Sequence, residues 1–249
     1  MSISACNLSI VPLRAEPDHR SEMVSQILFG ECFKMLEEGI DFVKIRTLDT
    51  NYEGWVQKHQ FGSVTFASES TATIVDLQGA QAITEDNTIF LLPGTRIKNQ
   101  TIQIGNDTFK IEGSLRQARI DDFEQEFNGL CQYYLQAPYM WGGRSIYGID
   151  CSGFSQAVCN HFGISLPRDA YQQAESGITV DFLTEIKAGD LAFFDNEAGK
   201  ITHVGVMIDN ETIIHASGRV RIDKMDNQGI FNAELNRYTH NLRIVKRYF

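Results

Sequence analysis

Cys151, His203 and His215 are the residues of this 249-residue chain whose types and spacing could carry covalent chemistry. Cys151 lies in Gly148-Ile-Asp-Cys-Ser-Gly153, at the expected start of a helix. There the helix dipole and unpaired backbone amides favour a thiolate and could also receive a developing oxyanion. Gly148 and Gly153 are expected to let a substrate approach closely. An unassisted thiol titrates near pH ~8.5, so a basic neighbour is required. His203 opens a strand after the Asp195–Lys200 turn, and His215 lies on the next strand after Asp209-Asn-Glu. An antiparallel hairpin turning near 209–211 would bring the two imidazoles within hydrogen-bonding reach. Together they suggest a nucleophile (Cys151), a base (His203) and an orienting group (His215).

Taken singly, each has an ordinary alternative. A cysteine in a helix turn is commonly a small core hydrophobe, and a strand histidine a satisfied core residue. A zinc site built from the same three side chains lacks any CxxC or HExxH spacing, so no metal or other cofactor is implied. Cys131 and Cys159 fall on apolar helix faces and are expected in the core. Cys6, Cys32, His19, His59, His161 and His240 show no partner in the sequence and are assigned structural or solvated positions.

The elements that must position these residues fall into two styles. Up to about residue 116, short runs rich in Val, Ile, Phe and Thr alternate with Gly- or Asp-bearing turns, the pattern of small β-barrels. Two such stretches of about 55 residues each, near the lower limit for an independent core, predict barrels over 1–58 and 59–116, joined near 59–72. From Ile120 the period becomes helical: Ile120, Phe123, Phe127, Leu130, Cys131 and Tyr134 predict a helix over 119–136. A second helix is expected from Asp150, as N-cap, to Gly163, and a shorter one after Pro167-Arg-Asp169. Strands then return at 190–195, 203–208, 212–216 and 242–249. Residues 117–249 therefore form an α+β domain.

Composition narrows the function. With 22 Lys+Arg against 32 Asp+Glu, the formal charge is −10, which works against nucleic-acid or anionic-membrane partners. The 43% hydrophobic content suits a folded chain. Five cysteines, an odd number, suggest reduced thiols rather than a disulfide framework. No apolar run approaches the ~18–20 residues of a membrane span. Met1-Ser-Ile-Ser-Ala-Cys6 lacks a secretory pattern, and the expected compartment is the cytoplasm.

Six blocks carry a resemblance: Tyr139-Met-Trp-Gly-Gly-Arg144, Gly148-Ile-Asp-Cys-Ser-Gly-Phe154, Leu166-Pro-Arg-Asp169, Gly189-Asp-Leu-Ala-Phe-Phe194, His203-Val-Gly-Val206 and Ile214-His-Ala-Ser217. In order and spacing, over about 117–249, they resemble the NlpC-type cysteine peptidases, papain-like enzymes that cut murein stem peptides. The resemblance implies Cys151 as nucleophile, His203 as base and His215 as third polar residue. Leu13-Arg-Ala-Glu-Pro17, Gln26-Ile-Leu-Phe-Gly-Glu31 and Tyr52-Glu-Gly-Trp-Val56 resemble the bacterial SH3-type barrels that precede this domain in γ-D-glutamyl-L-diamino acid endopeptidases. Residues 68–116 fit a second such barrel by general pattern.

That subgroup implies a murein-derived peptide substrate with a free N-terminal L-Ala. Its ammonium would be read by Tyr52 with an acidic residue, Glu22 or alternatively Glu16. Tyr139 and Trp141 would wall the cleft, and Asp150 and Ser152 would hold the L-Ala-γ-D-Glu portion. Arg168 would pair with a substrate carboxylate or with a local acid. Ala170 stands where the subgroup often has Ser, so a substrate hydrogen bond there is lost or passes to Tyr171. The alternative functional classes are a papain-like acyltransferase or amidase on another substrate and a non-catalytic cell-wall binding protein.

Overall fold

Residues 3–64 and 73–249 are described by the structure, a computed structural model. Residues 65–72 of the expected inter-barrel joint lie outside the described residues. Contacts divide the chain into two units, Met1–Arg119 and Ile120–Phe249.

In the first unit, strands Ile3–Cys6, Ile10–Arg14, Met23–Leu28, Cys32–Glu38, Phe42–Thr47, Glu53–Gln57 and Phe61–Ser63 make one antiparallel sheet. Its apolar face encloses Leu13, Ile27, Phe33, Val43, Ile45 and Val56, with Tyr52 packed against them. Strands Thr73–Ile83, Thr88–Leu91, Arg96–Ile97, Thr101–Ile104 and Asp107–Gln117 make a second sheet. The two sheets share a core: Ala5, Phe29 and Cys32 of the first cluster with Val75, Leu91, Ile104 and Phe109 of the second. Phe29 and Phe109 meet edge to face at 5.2 Å. A Cβ on Gly62 would lie 2.6 Å from the Gly105 nitrogen, so the backbones touch where only glycine fits. Stretches this short bury little apolar surface alone, and the shared core supplies more.

The second unit starts with a 3₁₀ turn at Ile120–Asp122 that leads into helix α1, Phe123–Tyr134. Phe127, Leu130, Cys131 and Tyr134 form its buried stripe. Helix α2, Cys151–His161, is buried along most of its length, and the one-turn helix α3 covers Ala170–Gln173. Phe123, Phe162 and Phe249 pack ring to ring, tying α1 and the end of α2 to the C-terminus. Strands Leu191–Asp195, Ile201–Met207, Thr212–Ser217, Arg219–Met225 and Gly229–Asn232 follow as neighbours in one antiparallel sheet. The long strand Arg237–Arg247 pairs with both Leu191–Asp195 and Gly229–Asn232, so the run closes on itself.

The strands at 219–225 and 229–232 were not expected from the sequence. Arg219-Val-Arg-Ile-Asp-Lys-Met225 inverts the usual pattern, burying Asp223 while Ile222 faces solvent. A charged residue facing inward hides a strand from hydrophobic alternation.

Candidate active site

The sulfur is placed by the start of α2. Asp150 has extended backbone (φ −92°, ψ 177°) and accepts from the Gly153 N–H at 2.7 Å, the geometry of an N-cap. This fixes Cys151 as the first helical residue, 7% exposed. Helix α2 packs on the strand Ile201–Met207. The backbone N–H groups of Val204 and Ser152 act on the thiol, and Val204 directly follows His203. The expected lowered thiol is not found. Burial first, and then the Asp150 carboxylate, push Cys151 up to about 11, outweighing the two amides and Arg168. The acid that caps the helix offsets part of the positive field at its start.

The glycines around this turn also differ from expectation. A Cβ on Gly153 would lie 2.3 Å from the Gly143 carbonyl oxygen, and one on Gly148 would lie 2.6 Å from the Met140 side chain. Their missing side chains make room for the protein's own chain rather than for a substrate.

The imidazoles come from adjacent strands. His203 Nε2 and His215 Nδ1 are 2.8 Å apart, both rings buried. His215 pairs in register with Gly205, not His203, so the bond spans a diagonal two-residue step on one sheet face. The run continues from His215 Nε2 to Asp223 Oδ2 at 3.0 Å. Arg221 then clamps Asp223 through Nε (2.6 Å) and Nη2 (2.9 Å) and also reaches Glu234 at 2.9 Å. Burial, reinforced by the neighbouring imidazoles, holds His203 well below its usual value. Burial also lowers His215, against the pull of Asp223.

Two contributors here escaped the sequence reading. Asp223 sits on the strand whose pattern is inverted. His240, assigned no partner, stacks on His203 with ring centroids 4.1 Å apart and planes at 26°. Its signal lay only in the long C-terminal strand, which begins at Arg237 rather than near 242. Among the described residues, His203, His215 and His240 are the one group whose ligand atoms come close enough for a metal, within 4.8 Å of one another. Yet His203 and His215 are already bonded to each other, and stacked rings aim their nitrogens along parallel planes. That arrangement suits packed imidazoles better than a tetrahedral ion.

The residues expected to bind substrate fall in several places. Tyr139 is half-buried, its phenol raised to about 12 by burial, with Cys151 and Asp150 adding to the shift. Trp141 is 59% exposed. Asp150 and Ser152 are both buried. Asp150 accepts from Gly153 N, Gly142 N, Ser152 Oγ and both terminal nitrogens of Arg168, so a ligand amine would have to displace one of these donors. Arg168 also donates to Ser152 Oγ at 2.8 Å, making Asp150 the local acid it pairs with. Ala170 opens α3 and is buried, while Tyr171 is exposed. In the other unit, Tyr52 packs against the barrel core, and Glu22 and Glu16 are exposed. His161 bonds Glu126 at 2.9 Å. Cys131 and Cys159 are core residues, as expected, and Cys6 and Cys32 are buried free thiols.

Comparison with known proteins follows this division. Residues 136–238 match the NlpC/P60 family, and residues 13–61 match the bacterial dipeptidyl-peptidase Sh3 domain. A γ-D-glutamyl-L-lysine dipeptidyl-peptidase of Bacillus subtilis (strain 168) is 31% identical over 216 residues, 77% of this chain and 71% of the relative. Dipeptidyl-peptidase 6 of Lysinibacillus sphaericus is 28% identical over 251 residues, 87% of this chain and 89% of the relative. The crystal structure of an NlpC/P60 family protein from Bacillus cereus ATCC 10987 superposes with a TM-score of 0.79 at 20% identity, covering 99% of both chains, a likeness of fold. Identity that runs through most of both chains, catalytic and barrel portions alike, makes this chain a member of the NlpC/P60 family of cysteine peptidases.

Proposed function

We propose that this peptidase hydrolyses the bond between the γ-carboxyl of D-Glu and the amine of a diamino acid, meso-diaminopimelate or Lys, in short murein stem peptides with a free N-terminal L-Ala. The cellular role would be recycling of cell-wall fragments in the cytoplasm. The activity for which the Bacillus subtilis relative is named, a γ-D-glutamyl-L-lysine dipeptidyl-peptidase, supports the bond class. The observation that carries the chemistry is the 2.8 Å contact between His203 and His215 on the strands next to the sulfur.

With Nε2 of His203 engaged by His215, Nδ1 is the nitrogen left to serve Cys151. The Cys151 sulfur attacks the γ-carbonyl carbon as its proton passes to His203 Nδ1. The oxyanion forms near the amides at the start of α2. His203 returns the proton to the departing diamino-acid nitrogen, the C–N bond breaks, and a thioester remains. Water, losing a proton to His203, then attacks the thioester, and the thiol is restored. A thiol pushed up and an imidazole pushed down make the resting pair neutral, so the proton moves during attack rather than before it.

The test is incubation with L-Ala-γ-D-Glu-meso-diaminopimelate, free and N-acetylated, with detection of released diaminopimelate. The free peptide is expected to be cut and the acetylated one spared, with Cys151→Ala abolishing turnover at unchanged thermal stability. Equal cutting of both peptides removes Tyr52 and Glu22 from recognition. No release by intact protein favours an acyltransferase or amidase. Co-sedimentation with sacculi that survives Cys151→Ala, without turnover, favours a binding protein.

A further inference from the structure

Three side chains on three successive strands form one line. His215 pairs with Gly205, two residues past His203, and Arg221 pairs with His215, two residues before Asp223. Each link is therefore the same diagonal step, and all three side chains lie on one face of the sheet. The bonds are His203 Nε2 to His215 Nδ1 and His215 Nε2 to Asp223 Oδ2.

The chemistry of the last member sets the proton at every other. A carboxylate only accepts, and a guanidinium only donates. Arg221 places Nε on Asp223 Oδ2 and Nη2 on Oδ1, so both oxygens already face donors and neither has an acceptor to which a carboxyl proton could point. Burial works to raise this carboxyl, but the donors from His215 and Arg221 outweigh it and keep it ionised. The hydrogen in its bond with His215 must then reside on Nε2. A neutral His215 so protonated has a bare Nδ1, which can only accept, and the hydrogen shared with His203 must belong to His203 Nε2. A neutral His203 is left with a bare Nδ1.

We propose that Asp223, held by Arg221, is a positioning residue that fixes the tautomers of His215 and His203, leaving the His203 Nδ1 lone pair free to take the Cys151 proton. The proposal rests on the peptidase mechanism above for its consequence, but not for the tautomers themselves. A protonated or absent acid would let both rings invert, with the proton on Nδ1 of His203, where it could not accept from a thiol. The same logic governs the acid of serine-protease triads, whose amide replacement costs about 10⁴-fold in kcat by presenting the wrong tautomer.

The test begins with the wild-type protein, labelled with ¹⁵N-histidine and read by ¹H–¹⁵N correlation at pH 7.5, with signals assigned by single His→Gln variants. Expected are N–H protons on Nε2 of both His203 and His215; a proton on Nδ1 of either overturns the proposal. Asp223→Asn, whose amide can accept or donate, is expected to show the Nδ1–H form and to lose about 10²–10⁴-fold in kcat with KM within twofold. Unchanged tautomers or kcat within twofold in that variant also overturn it. Should the variant fail to fold, the wild-type spectrum still decides. Should the peptidase mechanism fail instead, with turnover surviving Cys151→Ala, the same spectrum reads the tautomers independently.

Discussion

Asp150 and Asp223 are both buried carboxylates clasped by an arginine, yet one is turned inward on the fold and the other outward to a histidine. At Asp150 the circle is closed. Arg168 is 3% exposed, and the remaining acceptor sites are filled by the amides of Gly142 and Gly153 and the Ser152 hydroxyl. At Asp223 the ion pair runs out to the surface through Glu234, and Oδ2 faces His215 as well as Arg221 Nε. The pairing alone does not distinguish the roles; the third partner does. Backbone amides make the first acid a cap for the turn that holds Cys151, and an imidazole makes the second a control on protons.

Cys151 reactivity offers the largest effect with which to break this comparison. Asp150 adds to burial in raising the thiol, and burial keeps His203 neutral. The alkylation rate by iodoacetamide should therefore climb about tenfold per pH unit, roughly 10³-fold from pH 6 to pH 9, without a plateau. A flat rate above pH 6 means a preformed thiolate–imidazolium pair and denies Asp150 this influence.

Stability separates the two acids next. Asn can still cap a helix, so Asp150→Asn removes the charge while retaining the capping oxygen. It strands the buried Arg168 and is expected to cost about 3–5 kcal/mol by denaturant titration. Asp223→Asn leaves Arg221 its second partner, Glu234, which is largely solvated, and should cost about 1–2 kcal/mol. Equal losses at the two positions would show that the carboxylates serve the fold alike.

The sequence conveyed these regions unequally. Asp150 was legible because a cap is local: an acid three residues before Gly153, followed by a helical stripe through Phe154 and Val158. The imidazole pair was legible because hairpin spacing brings His203 near His215, although the partners sit diagonally rather than face to face. Asp223 was hidden because its strand turns charge inward and Ile222 outward. Hydrophobic alternation therefore gave no strand to place it on. His240 was hidden because its contact joins residues 37 positions apart through a strand longer than its apolar end suggests. The shared core of the first unit was hidden for a similar reason, since alternation locates a sheet's apolar face without naming what covers it.

His240 supplies the smallest effect and sharpens the imidazole side of the comparison. It covers one face of His203 and makes no hydrogen bond with His215 or Asp223 among the bonds of the line, so its influence on protons is indirect. Burial, followed by the nearby His215, lowers it to about 4, against a slight opposing pull from Asp223. An unfolded histidine titrates near pH ~6.5, so as pH falls from there toward 4 the unfolded chain takes up a proton the folded one refuses. Stability is thus lost on acidification across that window, with His203 and His215 contributing in the same direction. His240→Gln removes one of the three contributions. The drop in Tm between pH 7 and pH 5 should shrink by about 2–4 °C, while kcat at pH 8 falls less than about tenfold. An undiminished drop would mean that His240 protonates freely in the fold. A kcat loss as large as that of Asp223→Asn would move His240 from a covering ring into the proton line itself.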